Sequence, residues 1–170
     1  MKIAIQGPMC SGKSTLANMI MNIDKRYKKF SFGQPIKDLA TELFNMKGKD
    51  RSLLISIADK MREIDQDVWV NYTLKKTKHN NHCIVDDLRF QNEVDKMKGW
   101  TIISLQTPIE ERIKRIKRIY PSNYEDHICN MNHLSEKANL NLPENTIYID
   151  TTIEPKKIHQ KMYVLLEKNK

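Results

Sequence analysis

The run Lys2–Gln6 (KIAIQ), followed at once by Gly7-Pro8-Met9-Cys10-Ser11-Gly12-Lys13-Ser14-Thr15, constrains this chain more than any other feature. Five residues rich in apolar β-formers and stopped by glycine read as a buried strand, and helical spacing follows from Ser14 to about Asn22. Between them every fixed position of GxxxxGKS is filled, in the strand–loop–helix context that this pattern needs. Glycine lets the backbone wrap so that successive amides converge on one concavity, and the helix N-terminus adds positive potential there. The chemistry implied is a cradle for the phosphates of ATP, formed by Gly7 to Thr15. Lys13 is expected to bridge the β- and γ-phosphates, and the Ser14 hydroxyl to face Mg²⁺. Cys10 reads as a small loop side chain, with an oxidisable thiol as the alternative.

The rest of the chain alternates between strand and helix signals. A strand near Lys29 to Phe32 leads through Gly33 and Pro35 into a helix whose stripe is Ile36, Leu39, Ala40, Leu43 and Phe44, ended by Gly48. Asp50 to Asp65 is amphipathic, with Leu54, Ile57, Ala58 and Met61 inward, and a further helix starts at about Asp67. Cys83 to Val85 form a strand that ends in Asp86 and Asp87, before a helix closed by Lys96, Lys98 and Gly99. Thr101 to Leu105 is a strand, and Thr107, Pro108 and Glu110 predict a capping box with proline in the first helical position and Ile109, Ile113 and Ile116 inward. Thr146 to Asp150 is the last strand, and Pro155 opens a helix carrying Ile158, Met162 and Leu165. This alternation predicts one α/β domain over residues 1–170: a three-layer P-loop NTPase fold whose five-stranded parallel sheet has helices on both faces, in the order 2-3-1-4-5. The polar, Asn-rich stretch from Tyr120 to Glu144 is long for a connection and reads as part of a lid at about 115–145, or as an insertion without a role.

Lys and Arg outnumber Asp and Glu by 29 to 21, a formal charge of +8, so anionic partners are expected. Charge alone does not choose between nucleotides and nucleic acid, although nucleic acid is the less expected partner and membrane is not expected. Three scattered cysteines form no CxxC pair, which fits a reducing, cytoplasmic setting. No apolar run approaches the roughly 18 residues of a spanning helix, and the loop begins too early for a signal peptide to precede it. A homodimer is left open.

Asp86 and Asp87 fall at the carboxyl edge of the sheet, where one can hold a Mg²⁺-bound water and the other can cap a helix. Arg89 lies close enough to that edge to neutralise a phosphate, or pairs with Glu93 at i+4. Arg112 is a candidate ATP ligand, and Arg115 or Arg118 a clamp on the transferring phosphoryl, against the plainer reading of a solvated basic face. Trp69 or Tyr124 offers a ring for an acceptor base, with core packing the alternative for Trp69. His127, Cys129 and His133 have HxCxxxH spacing but lack a fourth ligand for a metal site.

Three segments, SFGQPIKDLA, DRSLLISIADKMREIDQDVW and DDLRFQNE, together with the loop, resemble the deoxynucleoside monophosphate kinases of phages and large DNA viruses. The likeness covers most of the chain, more loosely through the lid to Ser135 and Glu136. It implies phosphorylation of a nucleoside monophosphate by ATP and an acceptor-binding region at about 34–80. Lys37, Arg51 and Arg62 would serve the monophosphate, with Asp87 and Arg89 beside the phosphates. Ile55 and Ala58 depart from the Gln and Gly common in that pattern, so base contacts near them do not carry over. Animal-type phosphomevalonate kinase and dephospho-CoA kinase are similar in loop and Asp/Arg segments. A nucleic-acid-dependent ATPase or polynucleotide kinase is the alternative of another class, while the NKxD and DxxG of a GTPase are not in place. A phosphate acceptor fits the composition, because it brings its own oxyanion and asks for alignment and charge neutralisation rather than a strong base.

Overall fold

The structure is a computed structural model that describes residues 1–129, 131 and 139–168. Its five strands are β1 (Lys2–Gln6), β2 (Lys28–Phe30), β3 (Cys83–Leu88), β4 (Thr101–Gln106) and β5 (Ile147–Asp150). They form one sheet in the order β2-β3-β1-β4-β5, parallel at every pairing, as the alternation of elements predicts. The helices are α1 (Lys13–Ile23), α2 (Gly33–Phe44), α3 (Arg51–Ile64), α4 (Val68–Thr77), α5 (Gln91–Lys96), α6 (Ile109–Ile119), α7 (Tyr124–Cys129) and α8 (Pro155–Glu167).

Strand β1 is apolar throughout its middle because both of its faces are covered. Ile3 and Ile5 join Leu16, Ala17 and Ile20 of α1 and Met162 and Leu166 of α8 in one core layer. Ala4 turns the other way, with Val85 and Ile102, into a second layer built from Phe32, Ile36, Ala58, Trp69, Val70 and Val94. The pleat of one strand therefore assigns α1 and α8 to one face of the sheet and α2 to α5 to the other.

The register fixes the working edge. Ala4 pairs with Val85, but Gln6 pairs with Leu88, so β3 carries one residue more than β1 across Asp86 and Asp87. Such a bulge re-aims side chains at a strand end. Asp86 turns to α1, where Ser14 meets it, whereas Asp87 turns to the start of α2.

Several local expectations differ from the structure. Strand β2 stops at Phe30, and β3 runs on to Leu88 so that both aspartates lie within it. Helix α2 ends where Asn45 takes a left-handed conformation, before Gly48, and leaves Leu43 and Phe44 exposed rather than in the buried stripe. The predicted capping box does not form. Pro108 occupies the N-cap of α6, Ile109 is exposed, and the Thr107 hydroxyl is 2.7 Å from that of Thr151. That threonine bridges two loops at the sheet edge, a tertiary demand that overrides the helix-start pattern. Within the polar, Asn-rich stretch from Tyr120 to Glu144, α7 forms a short helix. His133, Ser135 and Glu136 lie outside the described residues.

Candidate active site

The loop between β1 and α1 is shaped by two glycines for different reasons. A Cβ on Gly7 would come within 2.6 Å of Ser11 Oγ and 3.1 Å of Leu105 Cβ, so close approach excludes any side chain there. Gly12 has φ of 99°, in the left-handed region that glycine alone enters cheaply. Lys13 opens α1 and donates from Nζ to the carbonyls of Gly7 (2.6 Å) and Pro8 (2.7 Å), which folds its ammonium onto the loop. The hydroxyl of Ser14 donates to Asp86 Oδ2 (2.9 Å), and the same oxygen lies 2.7 Å from Lys29 Nζ. A hydroxyl and a buried carboxylate side by side at the foot of an anion loop are the hard oxygen donors that Mg²⁺ takes. The residues present fit that ion, with Asp86 and not Asp87 as the acidic member.

Asp87 is committed elsewhere. Its carboxylate accepts from Ser31 Oγ (2.7 Å), the Phe32 amide (3.0 Å) and the Gly33 amide (2.9 Å), and so caps α2 across a sequence gap of more than fifty residues. The sequence suggests a cap on the following helix; the structure gives one on a helix that precedes it in the chain. Glu93 takes the following helix instead. It accepts the backbone N–H groups of Arg89 (2.7 Å) and Phe90 (3.0 Å) with one buried oxygen, and burial, aided by Asp87, pushes its carboxyl up to about 7 against those bonds.

Helix α6 grips the loop from its carbonyl side. Arg112 Nε donates to Met9 O (2.9 Å). Arg115 reaches Cys10 O and Ser11 O (3.4 Å each), the Thr151 carbonyl (2.9 Å) and Glu111 (2.9 Å). Arg115 thus fastens the loop to the β5–α8 turn, a bracing contact, while it also lines the cleft where the sequence suggests a phosphoryl clamp. The neighbouring Arg118 lines the open cleft.

The cleft encloses about 960 Å³ and runs from the loop to a second cationic end. Lys37 of α2, Arg51 and Arg62 of α3 and Arg89 beyond β3 all line it, so the structure brings together the residues implied by the resemblance. Lys49 joins them. Burial, then Arg51, Lys37 and Arg89, hold its ammonium below the ordinary lysine range, a mark of converging cations. Arg62 donates to Asp59 (3.1 Å), and its guanidinium lies 4.4 Å from the centroid of the Phe90 ring. Trp69 is not part of this wall. It is 4% exposed, and its indole N–H donates to Ala58 O (3.1 Å), which pins α4 to α3. Tyr124 likewise turns away, to Glu125. His127, by contrast, lines the cleft, stacked 3.8 Å from Tyr120 with Nδ1 2.9 Å from Arg51 Nη1. Nothing in its sequence spacing points to Arg51; only folding joins them. Among the described residues no group of three His, Cys, Asp or Glu side chains could hold a metal ion by itself.

A family model described as an AAA domain matches residues 3–136, most of the chain and all of the walls just described except the β5–α8 turn. The chain belongs to that AAA-domain family. No curated protein matches the sequence. Among solved structures, this AAA-domain protein is similar to a gluconokinase from Sinorhizobium meliloti 1021, with a TM-score of 0.64 at 12% identity over 98% of this chain and 91% of that one. A sugar kinase from Janibacter sp. HTCC2649 gives 0.60 at 15% identity, over 98% and 94%. A shikimate kinase from Aquifex aeolicus gives 0.50 at 17% identity, over 99% and 98%. At such identities the likeness shows the fold alone, and it agrees with a P-loop NTPase fold. None of the described helices of the AAA-domain protein is long and apolar enough to cross a membrane.

Proposed function

We propose that this protein transfers the γ-phosphate of ATP to the phosphate of a deoxynucleoside or nucleoside monophosphate, as the resemblance to the viral enzymes implies. One observation carries the reading: a single cleft joins the phosphate loop to a second cluster of Lys37, Lys49, Arg51 and Arg89. An anion at each end is what two phosphorylated substrates require. In this reading residues at about 34–80 form the acceptor wall of one domain, and the lid expected at about 115–145 lies partly outside the described residues.

In this scheme the loop amides and Lys13 bind the β- and γ-phosphates, and Arg118 stabilises the charge of the phosphoryl in flight. Lys37, Lys49, Arg51 and Arg89 align the acceptor phosphate. Ser14 and Asp86 would hold Mg²⁺, which supplies charge neutralisation between the two terminal phosphates. A phosphate acceptor is preferred over a hydroxyl acceptor, such as those named for the structural neighbours, because a hydroxyl must lose a proton and both edge aspartates are already engaged. Asp87 accepts three donors and Asp86 is tied to Ser14 and Lys29, which leaves neither poised as a general base.

The test is ADP release from Mg-ATP in the presence of each of four deoxynucleoside monophosphates, four nucleoside monophosphates, phosphomevalonate, gluconate and shikimate. At least one monophosphate nucleotide is expected to accelerate release, and gluconate and shikimate are not. A response to gluconate or shikimate alone would overturn the phosphate-acceptor reading.

A further inference from the structure

His127 is the one buried histidine among the described residues, and none of the roles above uses it. Its ring lies on Tyr120 with centroids 3.8 Å apart and planes 22° apart, which fixes the imidazole plane. Nδ1 is 2.9 Å from Arg51 Nη1. A guanidinium can only donate, so Nδ1 is the acceptor, the imidazole is neutral, and its proton is on Nε2. Arg51 Nη1 also donates to Met9 Sδ (3.1 Å), so that one nitrogen is held between the phosphate loop and α7. Nε and Nη2 are left to serve an anion in the cleft that Arg51 lines.

We infer that His127 is a positioning residue for the acceptor end of the cleft: its neutral Nδ1 orients Arg51 toward the acceptor phosphate and, by the same bond, ties α7 to α3. The inference rests on the reading of Arg51 as an acceptor ligand. The groups that face the imidazole are Arg51 at the start of α3, Lys49 in the loop before it, Tyr120 at the end of α6, and Asp126 on its own helix. Burial first and then the two cations hold His127 below the ordinary histidine value, with Asp126 acting the other way. Protonation turns Nδ1 into a donor and sets imidazolium against guanidinium, so the bond that orients Arg51 is lost in acid.

Two substitutions separate this role from packing. His127→Asn offers an amide oxygen near the position of Nδ1 and does not titrate, whereas His127→Phe keeps a ring on Tyr120 and has no acceptor. With the best monophosphate of the panel, His127→Phe is expected to raise the acceptor KM about tenfold, as for loss of a charge-assisted bond. The KM for ATP is expected to stay at its wild-type value. His127→Asn should keep the acceptor KM near wild type and abolish its rise between pH 7.5 and 5.5. A wild-type KM in His127→Phe, or equal impairment of both variants, would show that the histidine only packs α7 onto α6. A second readout needs no substrate: ¹H–¹⁵N correlation spectra of the imidazole should show Nδ1 unprotonated at pH 7.5. A proton on Nδ1 would overturn the inference whatever the acceptor proves to be. A panel with no acceptor at all would sink the functional reading, with the tautomer still deciding this one.

Discussion

Glu93 shows how much a single buried carboxylate can reveal. It is 3% exposed, and its carboxyl titrates at about 7 because the loss of hydration outweighs two backbone N–H bonds. In the unfolded chain the same group ionises near 4.5. The folded state therefore binds more protons between these values, and stability falls as pH rises from about 4.5 to about 7, then levels off. Glu93→Gln keeps an oxygen for the Arg89 and Phe90 amides and removes the charge. It is expected to raise Tm at pH 8 by roughly 5 °C, and to leave Tm nearly unchanged at pH 5, where the wild-type side chain is already neutral. Thermal melts across that range check the sign; a variant less stable than wild type at pH 8 would mean that the ionised carboxylate is compensated in the fold. The loop itself was legible at this scale, since the demands on Gly7, Gly12, Lys13 and Ser14 arise within a few residues of each other. The partners of Asp87 and Trp69 were not, because each is a tertiary hydrogen bond that no spacing rule encodes; the Glu93 bond to the Phe90 amide follows capping-box spacing, but Phe90 in place of Ser or Thr hid it.

Between elements, the contact that most shapes the site is that of α6 on the phosphate loop. The hydrophobic and charged pattern of α6 announces a helix with a basic face, and a basic face is usually solvated. Here Arg112 and Arg115 turn to loop carbonyls, Arg115 at the margin of the cleft, while Arg118 lines the cleft without a bond to the loop. Holding the loop by its carbonyls presents its amides to the other side, where phosphates bind. Arg115→Leu removes donors to Cys10, Ser11 and Thr151 together and is expected to weaken binding of a fluorescent ADP analogue about tenfold. Acceptor KM should change far less, since Arg115 touches none of the acceptor-end cations. Wild-type affinity for the analogue in a folded Arg115→Leu protein would show that the loop needs no brace. The order of elements and the sheet topology were readable because alternating strand and helix signals admit few right-handed connections. The start of α6 misled because Thr107 satisfies Thr151 rather than its own helix.

Across the whole molecule the formal charge of +8 is unevenly spread. Nine Lys and Arg against five Asp and Glu line the cleft, so half of the chain's excess is concentrated on one concave surface. Low-dielectric walls focus such a field, and small polyanions then reach the site faster than neutral ligands do. A long polyanion is drawn by the same field but must follow a basic stripe across an outer surface, whereas here the charge converges inward. The two readings diverge under salt. For a nucleotide kinase, kcat/KM should fall only several-fold between about 0.05 and 0.5 M NaCl, as screening removes long-range steering while close contacts in the cleft persist. Single-stranded DNA should neither stimulate ADP release nor compete strongly with the nucleotide at the higher salt. DNA-stimulated turnover with a loss of several orders of magnitude over that range would instead assign the charge to a nucleic-acid track and displace the small-molecule kinase.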